Sequence, residues 1–445
     1  MIAVTPSPAT WTDTDTGAPW HRVLVYGLGL SGRAAAELLR HRGVEVVVVD
    51  ARSRLTLGLD HLADDPGVRL LLGSEPDRLP DDLPWDGLDA VVVSPGVPLD
   101  RPLLVAARAA GVPVVAEVEL AFPLLDGEMI AITGSNGKST TTMLTAAMLD
   151  AAGRRAKPCG NIGEPLAAQV TPDDSTSAEP PIYVVEVSSF QLESVDRFHP
   201  KAAAFLNLSP DHLDRHHSLD AYRDAKMRVF RRQVATDVAV VNADDPAVEA
   251  ATRGLPMRRR LFSRLGPVAD GCWLDGSTVI EVDPAQGPPR PLFQAGDLPL
   301  TGVHNLENAM AAALLARAFD VDADAITAGL RSFCGLPHRL YKVRELDGVV
   351  WFDDSKGTNP AATAKSLAGF EDGKVLVILG GVFKGGDLDE LGRLVARKAR
   401  RAYLIGEAAE HFEHELRSTP GTTAAIERTE TLDRAVARAA AEARP

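Results

Sequence analysis

Cysteine is scarce in this sequence. The 445 residues include three cysteines, Cys159, Cys272 and Cys334, which lie far apart along the chain. An odd number of dispersed cysteines argues against a disulfide framework and against a four-cysteine zinc site. We therefore expect a protein of a reducing compartment, the cytoplasm.

Basic residues are outnumbered by acidic ones. The chain has 47 Lys and Arg against 61 Asp and Glu, a formal net charge of -14 and a pI of about 5.3. Nucleic-acid binding needs a basic face that neutralises phosphates, so we expect no nucleic-acid partner. Small anionic substrates remain compatible with local lysines and arginines.

Long hydrophobic runs are absent as well. No stretch approaches the roughly 20 consecutive apolar residues of a membrane span, so we expect no membrane partner. The composition, 45% hydrophobic and 24% charged, is typical of globular proteins, and the length suggests about three domains. We predict a monomer with a disordered tail at 1–20, which lacks the basic and apolar segments of a signal peptide, and domains at 21–122, 123–336 and 337–445.

What the sequence does contain is a phosphate-loop pattern. Residues 134–140 read Gly-Ser-Asn-Gly-Lys-Ser-Thr and stand between an apolar run, 129–133, and a helical run, 141–152. Inward-turned backbone N–H groups and a helix N-terminus bind phosphate, the lysine reaches the terminal phosphates, and a hydroxyl ligates Mg²⁺. The general pattern begins with a glycine where this chain has Ile132. The loop predicts ATP binding through Gly134, Ser135, Asn136, Gly137, Lys138, Ser139 and Thr140.

A second glycine-rich turn lies near the start of the chain. A strand-like run, 22–26, precedes Gly-Leu-Gly-Leu-Ser-Gly at 27–32, a helical run and a strand that ends at Asp50. This spacing in a strand-turn-helix setting is typical of nucleotide-binding Rossmann units. A further strand, 90–94, leads into Pro95-Gly96 at the edge where such sheets hold ligands. Taken alone, this unit favours an NAD-dependent dehydrogenase, with a purely structural glycine turn as the alternative.

Two charged residues of the central region, Glu186 and Lys226, lie in predicted secondary-structure elements. Glu186 ends the strand-like run 183–187, where a carboxylate beside the phosphate loop can hold Mg²⁺. A solvent-exposed glutamate at a strand end is the alternative. Lys226 lies in the helical pattern 221–230, which by itself predicts a solvent-exposed side chain.

A cluster of acidic residues and histidines follows the strand-like run 203–208. Residues 211–217 read Asp-His-Leu-Asp-Arg-His-His. A zinc site is one interpretation because His212 and His216 are four residues apart. No cysteine lies nearby, and such a cluster is often only the polar start of a helix, which is the interpretation we favour.

Two strand-like runs of the last region are each followed by a lysine-containing segment. The run 349–352 leads to Lys356 and to Asn359, a predicted helix N-cap before a proline. The run 375–379 leads into a glycine-rich segment that contains Lys384. We expect both runs to place cations at the ligand-binding edge of one α/β sheet. For each run taken alone, an ordinary capped turn is the alternative.

These motifs, in this order, resemble the Mur ligase family from about Arg22 to the end of the chain. The resemblance rests on the two glycine-rich turns, on Glu-Val-Ser-Ser-Phe-Gln-Leu-Glu at 186–193, on Gly-Val-His-Asn-Leu-Glu-Asn at 302–308 and on Gly-Leu-Pro-His-Arg at 335–339. It implies an α/β fold of three domains: a Rossmann-like N-terminal domain that binds UDP, a central phosphate-loop ATPase domain with a mostly parallel sheet, and a Rossmann-like C-terminal domain for the acceptor amino acid.

The resemblance also implies a reaction and the residues that serve it. ATP phosphorylates a carboxylate to an acyl phosphate, and an amine attacks that acyl phosphate to give an amide, so cations should stabilise the oxygens on which charge builds. The implied catalytic residues are Lys138, Glu186, His212, Lys226 and Lys384; Ser139, Glu186, His212 and Lys226, the last as a carbamate, would serve two Mg²⁺ ions. Further ATP contacts are Asn308, Arg339 and Asp354, and contacts of the UDP-linked substrate and the acceptor are Gly29, Leu30, Ser31, Asp50, Arg52, Gly96, Asn161, Ser188, Gln191, Lys356 and Thr358.

Within the family, two features favour the branch that adds D-glutamate to UDP-N-acetylmuramoyl-L-alanine. These are the turn at 27–32 and the absence of an Asp-Asn-Pro-Arg segment of the kind that binds a diamino acid. Sister ligases and folylpolyglutamate synthases are the nearest alternatives. A phosphate-loop regulator that ligates nothing is an alternative of a different class.

The end of the chain departs from the family pattern. A predicted helix, 431–443, is followed by two further residues, whereas family members continue through a serine-containing loop and a phenylalanine that hold D-glutamate. We therefore expect an incomplete C-terminal domain that captures D-glutamate poorly.

Overall fold

The computed structural model describes most of the chain. The described residues are 20–53, 62–73, 83, 87–170, 179–300, 302–333, 335–336, 338, 340–357, 359–382, 388–421 and 423–444. Residues 1–19 of the predicted tail, and the predicted site residues Arg339, Thr358 and Lys384, lie outside them. Trp20 was assigned to the tail from sequence, but it is 8% exposed and packs in a hydrophobic cluster with the first sheet, so it belongs to the folded domain.

The first unit is a five-stranded parallel sheet with the order β3-β2-β1-β4-β5. Its strands read as nearly continuous runs of valine and leucine because both faces are covered. The order is that of half a Rossmann fold, in which ligands bind beyond the carboxyl ends of the strands, where the strand order reverses. The elements are β1 (Arg22–Tyr26), α1 (Leu30–His41), β2 (Glu45–Asp50), β3 (Val68–Leu72), β4 (Ala90–Val93), α2 (Pro102–Ala109), β5 (Val114–Ala116) and α3 (Glu117–Ala121).

The second unit is a nine-stranded sheet with the order β14-β13-β12-β11-β10-β9-β6-β8-β7. Its strands are β6 (Glu128–Thr133), β7 (Ala156–Gly160), β8 (Ile182–Glu186), β9 (Ala202–Phe205), β10 (Val238–Asn242), β11 (Arg258–Ser263), β12 (Gly271–Asp275), β13 (Thr278–Val282) and β14 (Arg290–Gln294). Pairing is parallel except where β13 joins β12 and β14. The mostly parallel central sheet predicted from sequence is confirmed.

Helices cover this sheet and carry several of the predicted site residues. They are α4 (Lys138–Ala151), α5 (Ser189–Leu192), α6 (Leu213–His216), α7 (Leu219–Met227), α8 (Pro246–Thr252), α9 (Val303–Arg317) and α10 (Ala323–Ser332). Apolar residues of α4, α9 and α10 pack with the sheet in one buried cluster. The apolar run and the helical run predicted on either side of the phosphate loop therefore correspond to β6 and α4.

The third unit contains a parallel sheet β17-β18-β19 and a separate ribbon β15-β16. Its elements are β15 (Tyr341–Leu346), β16 (Val349–Asp353), α11 (Pro360–Ala368), β17 (Val375–Gly380), α12 (Asp389–Lys398), β18 (Ala399–Ile405), α13 (Ala409–Ser418), β19 (Ala425–Glu430) and α14 (Leu432–Glu442). In α14, Ala435 and Ala439 are buried, whereas Leu432 is 57% exposed. Among the described residues, no helix is both long and apolar enough to cross a membrane.

One expectation about this third unit is wrong for the described residues. The strand at Val349 does not join the strand at Val375 in one sheet, because β16 pairs antiparallel with β15. A two-residue turn connects them, and both Asp347 (φ 52°) and Gly348 (φ 74°) have positive φ. Asp-Gly at such a turn is a strong hairpin signal, so β16 finds its partner locally.

Candidate active site

The phosphate loop connects β6 to the first turn of α4. Gly137 has φ 85°, a left-handed conformation, immediately before Lys138 begins the helix. A Cβ on Gly137 would lie 2.2 Å from Oδ1 of Asn308, so only glycine fits. The structure thus brings together the loop and Asn308 of α9, two parts of the sequence that were both predicted to contact ATP.

The neighbouring strand end holds this loop from the side. The backbone N–H of Asn136 donates to Oδ1 of Asn207 at 2.8 Å, and Nδ2 of Asn207 donates to the carbonyl of Asn136 at 3.0 Å. The hydroxyl of Ser135 donates to the carbonyl of Ser209 at 2.9 Å. Sequence reasoning missed Asn207 and Ser209, because only the sheet order places β9 beside β6.

Two lysines meet at one carbonyl of the loop. The ammonium of Lys138 donates to the carbonyls of Gly134 and Ser135 at 2.8 and 2.9 Å. Nζ of Lys226, from α7, also donates to the carbonyl of Gly134, at 2.8 Å. The sequence predicted a solvent-exposed lysine from the helical pattern alone, but Lys226 is 1% exposed.

This arrangement changes the protonation of Lys226. Burial lowers the pKa of Lys226 well below its usual range, and the charge of Lys138 lowers it further; Asp211 and Glu186 act in the opposite direction. The two lowering effects have different physical origins: burial removes the water that stabilises the charged form, and Lys138 repels a second positive charge. The neutral amine of Lys226 therefore forms more readily than that of an exposed lysine.

Glu186 ends β8 beside the loop and is 2% exposed. Its Oε1 accepts a hydrogen bond from Nδ2 of Asn161 at 2.7 Å, and its Oε2 is buried with no hydrogen-bond partner among the described residues. Asn161 is adjacent because Gly160 of β7 pairs with Glu186. A buried carboxylate oxygen without a partner beside a phosphate loop fits a hard cation such as Mg²⁺.

Ser188 and Gln191 form the cap of α5. The backbone N–H of Gln191 donates to the Ser188 hydroxyl at 3.2 Å, and that of Ser188 donates to Oε1 of Gln191 at 3.0 Å. Gln191 is 1% exposed, and within the part of the chain that the structure describes its Nε2 has no hydrogen-bond partner. The cap therefore leaves a buried donor close to the strand end that carries Glu186.

His212 and His216 differ in environment. His212 caps α6 in the left-handed region (φ 53°), with its ring 4.8 Å from that of Phe190 and its side chain 46% exposed. His216 is buried, with Nε2 3.0 Å from the Ser189 hydroxyl and Nδ1 3.3 Å from Glu193. Because both ring nitrogens of His216 are occupied, the zinc interpretation fails, and no cluster of three His, Cys, Asp or Glu suited to a metal occurs among the described residues.

In the first unit, Asp50 ties the glycine turn to Arg52. Its carboxylate accepts from the backbone N–H of Leu28 at 2.6 Å and from the N–H and guanidinium of Arg52. Burial raises the pKa of Asp50, but these hydrogen bonds outweigh burial, and the pKa is lowered. The turn itself is tight, since a Cβ on Gly32 would lie 1.9 Å from the Gly27 carbonyl, and it leaves Leu30 74% exposed between Gly29 and Ser31.

The third unit faces the second across a cleft of about 3300 Å³. Gly96, His212 and Asp354, one from each unit, all line it. Oδ1 of Asp354 accepts from the Leu340 N–H at 2.9 Å, whereas Lys356 is exposed and does not line the cleft. The cleft therefore brings predicted site residues of all three units to one space.

Family models match all three units. The Mur ligase MurD-like, N-terminal domain matches residues 21–116, the Mur ligase middle domain matches 132–316, and the Mur ligase, glutamate ligase domain matches 338–445. The resemblance inferred from sequence is confirmed. The dehydrogenase interpretation of the first unit is replaced by that of a ligase domain with a similar turn.

Relatives and solved structures agree with the family models. The chain is 43% identical to UDP-N-acetylmuramoylalanine--D-glutamate ligase of Myxococcus xanthus over 94% of this chain and 90% of that protein. The same name belongs to an Acidobacterium capsulatum protein that is 42% identical over 87% of this chain and 82% of that one. Among solved structures, the UDP-N-acetylmuramate-alanine ligase of Thermotoga maritima has a TM-score of 0.58 at 19% identity and covers 93% of this chain and 91% of its own.

Proposed function

The chain belongs to the Mur ligase family of ATP-dependent amide ligases, and from this premise we propose that it joins D-glutamate to UDP-N-acetylmuramoyl-L-alanine. The named relatives support this substrate pair. ATP would transfer its γ-phosphoryl group to the substrate carboxylate, and the amine of D-glutamate would displace phosphate to form the amide. The products are ADP, phosphate and the extended UDP-linked precursor, and we place the reaction in the cytoplasm as part of peptidoglycan precursor synthesis.

The observation that carries the proposal is the convergence of Lys138, Lys226 and Glu186 on the phosphate loop. Phosphoryl transfer is accelerated mainly by positioning and by fixed charges aimed at the transferring oxygens. The N–H groups of the loop and the ammonium of Lys138 supply such charges at the start of α4. Asn308 lies against Gly137 and would border the same nucleotide.

We propose that Ser139, Glu186, His212 and a carbamylated Lys226 hold two Mg²⁺ ions. The unpartnered Oε2 of Glu186 fits a hard cation, as argued above. When bound, the metal would neutralise charge on phosphate oxygens. His212 stands at the cleft in a conformation set by α6.

Carbamylation of Lys226 is supported by its lowered pKa. A neutral amine can attack the carbon of CO₂, form an N–C bond and release one proton, which converts a buried cation into a carboxylate-like ligand. Bicarbonate should then stimulate activity. Lys226→Ala should be nearly inactive and partly rescued by short-chain carboxylates; no rescue, together with an unmodified mass under CO₂, would contradict the carbamate.

The substrate ends would be held apart on the two sides of the cleft. The proposed UDP contacts Gly29, Leu30, Ser31, Asp50, Arg52 and Gly96 lie at the carboxyl edge of the first sheet, and Asn161, Ser188 and Gln191 lie near Glu186. Arg52 is well suited to an anionic or uracil partner, since its side chain is 48% exposed while Asp50 anchors it. The acceptor contacts Lys356, Thr358 and Lys384 and the ATP contacts Arg339 and Asp354 remain proposals for the third unit.

The test measures ADP formation with several UDP-muramoyl acceptors and several amino acids. We expect release of ADP that depends on both UDP-N-acetylmuramoyl-L-alanine and D-glutamate. Lys138→Ala, the matched control, should lower turnover by several orders of magnitude without loss of fold, because it removes charge from the reacting phosphate. ADP release that is independent of both substrates, or preference for another acceptor, would contradict the proposal.

A further inference from the structure

Arg215 links two parts of the cleft that sequence reasoning treated separately. Its Nη1 donates to the carbonyl of Pro95 at 2.8 Å, and its Nη2 donates to Oε2 of Glu193 at 2.8 Å. Pro95 belongs to the loop at the carboxyl end of β4 in the first unit, whereas Glu193 follows α5 in the second. One guanidinium therefore spans the junction between the two units.

The Arg215 side chain is held on its flat face as well as at its edges. Its guanidinium carbon lies 4.1 Å from the centroid of the Phe190 ring. Arg215 and Glu193 are 13% and 17% exposed, so this is a partly buried ion pair rather than a surface pair. A planar fork that stacks on an aromatic ring and donates to two acceptors is a geometry that lysine cannot reproduce.

On the second unit, the pair sets the position of α6 and thus of His212. Glu193 also contacts Nδ1 of His216, whose other ring nitrogen meets the Ser189 hydroxyl, and the His216 ring stacks on Phe190 at 5.4 Å. Burial lowers the pKa of His216 to about 4, and the nearby charge of Arg215 adds to the effect. A neutral ring can donate from Nδ1 to Glu193 and accept at Nε2, which satisfies both partners. These contacts fix the helix whose N-cap is His212.

In the first unit, the loop whose Pro95 carbonyl accepts from Arg215 is hydrogen-bonded to the glycine turn. The Ser94 hydroxyl donates to the Gly27 carbonyl at 2.6 Å, and the Val97 N–H donates to the Ser94 carbonyl at 3.0 Å. A Cβ on Gly27 would lie 2.8 Å from Val97. A displacement of Pro95 would therefore disturb the turn that holds the proposed UDP contacts.

We propose that Arg215 and Glu193 are positioning residues. They set the position of the UDP-binding turn of the first unit relative to the His212 segment of the second. The inference rests on the proposed function for its substrate. The UDP end of that substrate would lie at one side of Arg215, and its reacting carboxylate would lie at the other side. A change in the relative position of these two segments would displace the carboxylate from the phosphoryl group, and small displacements of this kind lower rates strongly.

The test compares Arg215→Lys, Glu193→Gln and the double variant with the wild-type protein. Arg232→Lys is the matched control, since Arg232 also bridges a carbonyl and a carboxylate, both of Asp196, but on an exposed surface. We expect each single variant to raise the KM for UDP-N-acetylmuramoyl-L-alanine about tenfold and to lower kcat, with ATP affinity and Tm nearly unchanged. The double variant should be little worse than either single one, because both remove the same link.

Binding of UDP-N-acetylmuramoyl-L-alanine by calorimetry separates this inference from the proposed function. If the wild-type protein binds this ligand but ligates no D-glutamate, the proposed function is contradicted. The inference is then still tested by the affinities of the variants for UDP-N-acetylmuramoyl-L-alanine. Unchanged affinity and KM in Arg215→Lys and Glu193→Gln would overturn the inference. Equal losses of ATP and UDP-substrate affinity with a fall in Tm would also overturn it, since they indicate a merely structural role.

Discussion

The two junctions between the three units are built differently. Residues of the first and second units share one hydrophobic cluster, and Glu119 of α3 accepts hydrogen bonds from the backbone N–H groups of Asp196, Arg197 and Phe198. The clusters of the third unit contain only its own residues, and the direct side-chain hydrogen bond from Asn359 to Asp211 spans 3.3 Å beside the large cleft. Among the described residues, the first two units therefore share a hydrophobic core, whereas the third unit has a core of its own.

The largest effect should follow from breaking the first junction. Glu119→Ala removes the acceptor of three backbone N–H groups, and Glu119 is 2% exposed. An unsatisfied buried group costs about 1–3 kcal/mol, and the hydrogen bonds from Asp196 and Arg197 are only partly buried, so we expect a loss of about 3–6 kcal/mol in the free energy of unfolding. Chemical denaturation measures it, with Glu249→Ala as a control at a surface ion pair with Arg253. A loss below about 1 kcal/mol would show that the junction does not depend on this carboxylate.

A second glutamate of α3 should make the same junction sensitive to pH. Glu117 is 1% exposed and accepts from the Ala167 N–H; burial raises its pKa from 4.5 to about 7, against the effect of that hydrogen bond. The folded protein then keeps a proton that the unfolded chain releases above about pH 4.5. Stability is fully present below that pH, falls as the pH rises towards 7 and levels off above it.

Glu117→Gln should remove this dependence. We expect the difference in unfolding free energy between the variant and the wild type to change by about 2–4 kcal/mol from pH 5 to pH 8, in favour of the variant at high pH. Denaturation curves at both pH values measure the change. Parallel pH profiles for the two proteins would contradict a proton on Glu117.

Bound ligands should change the distance across the second junction more than the distance across the first. His212 and Asp354, both proposed contacts, line the cleft at the second junction from the second and third units, so bound ATP analogue and UDP-substrate should draw the third unit towards the second. Spin labels at Arg42 and Arg253 report on the first junction, and labels at Arg253 and Ser418 report on the second. We expect a change of more than about 2 Å across the second junction alone. Equal changes across both junctions would remove the distinction.

The smallest effect should come from the hydrogen bond between Asn359 and Asp211 at the second junction. Asn359 caps α11 with Oδ1 and reaches Asp211 with Nδ2. Asn359→Ser keeps a cap and removes the bridge, so we expect stability within about 0.5 kcal/mol of wild type, whereas Asn359→Ala should lose about 1 kcal/mol with the cap. The label distance across the second junction should widen in both variants. If Asn359→Ser and Asn359→Ala lowered the free energy of unfolding equally, the N-cap hydrogen bond would not be the source of the stabilisation.

Local patterns predicted the first unit and the phosphate loop well. The strand at Arg22–Tyr26 has the predicted bounds, and Gly137 has the left-handed conformation that the loop requires. These features depend on neighbours in sequence, such as a continuous apolar run or a glycine before a helix. The hairpin turn Asp347-Gly348 is equally local, and its Asp-Gly signal was simply missed.

Sequence by itself predicted the phosphate loop and determined its local conformation, because a strand, a glycine loop and a helix N-terminus are contiguous in the chain. Tertiary structure alone decided what surrounds them. Lys226 lies 92 residues from Gly134 in sequence and yet donates to its carbonyl, and Arg215 lies 120 residues from Pro95. Strand order and helix packing create these contacts, and burial beside Lys138 then disfavours the charge of Lys226. Desolvation and the distance between charges act through space, so a helical lysine that looks solvent-exposed in sequence becomes a buried lysine with a lowered pKa in the fold.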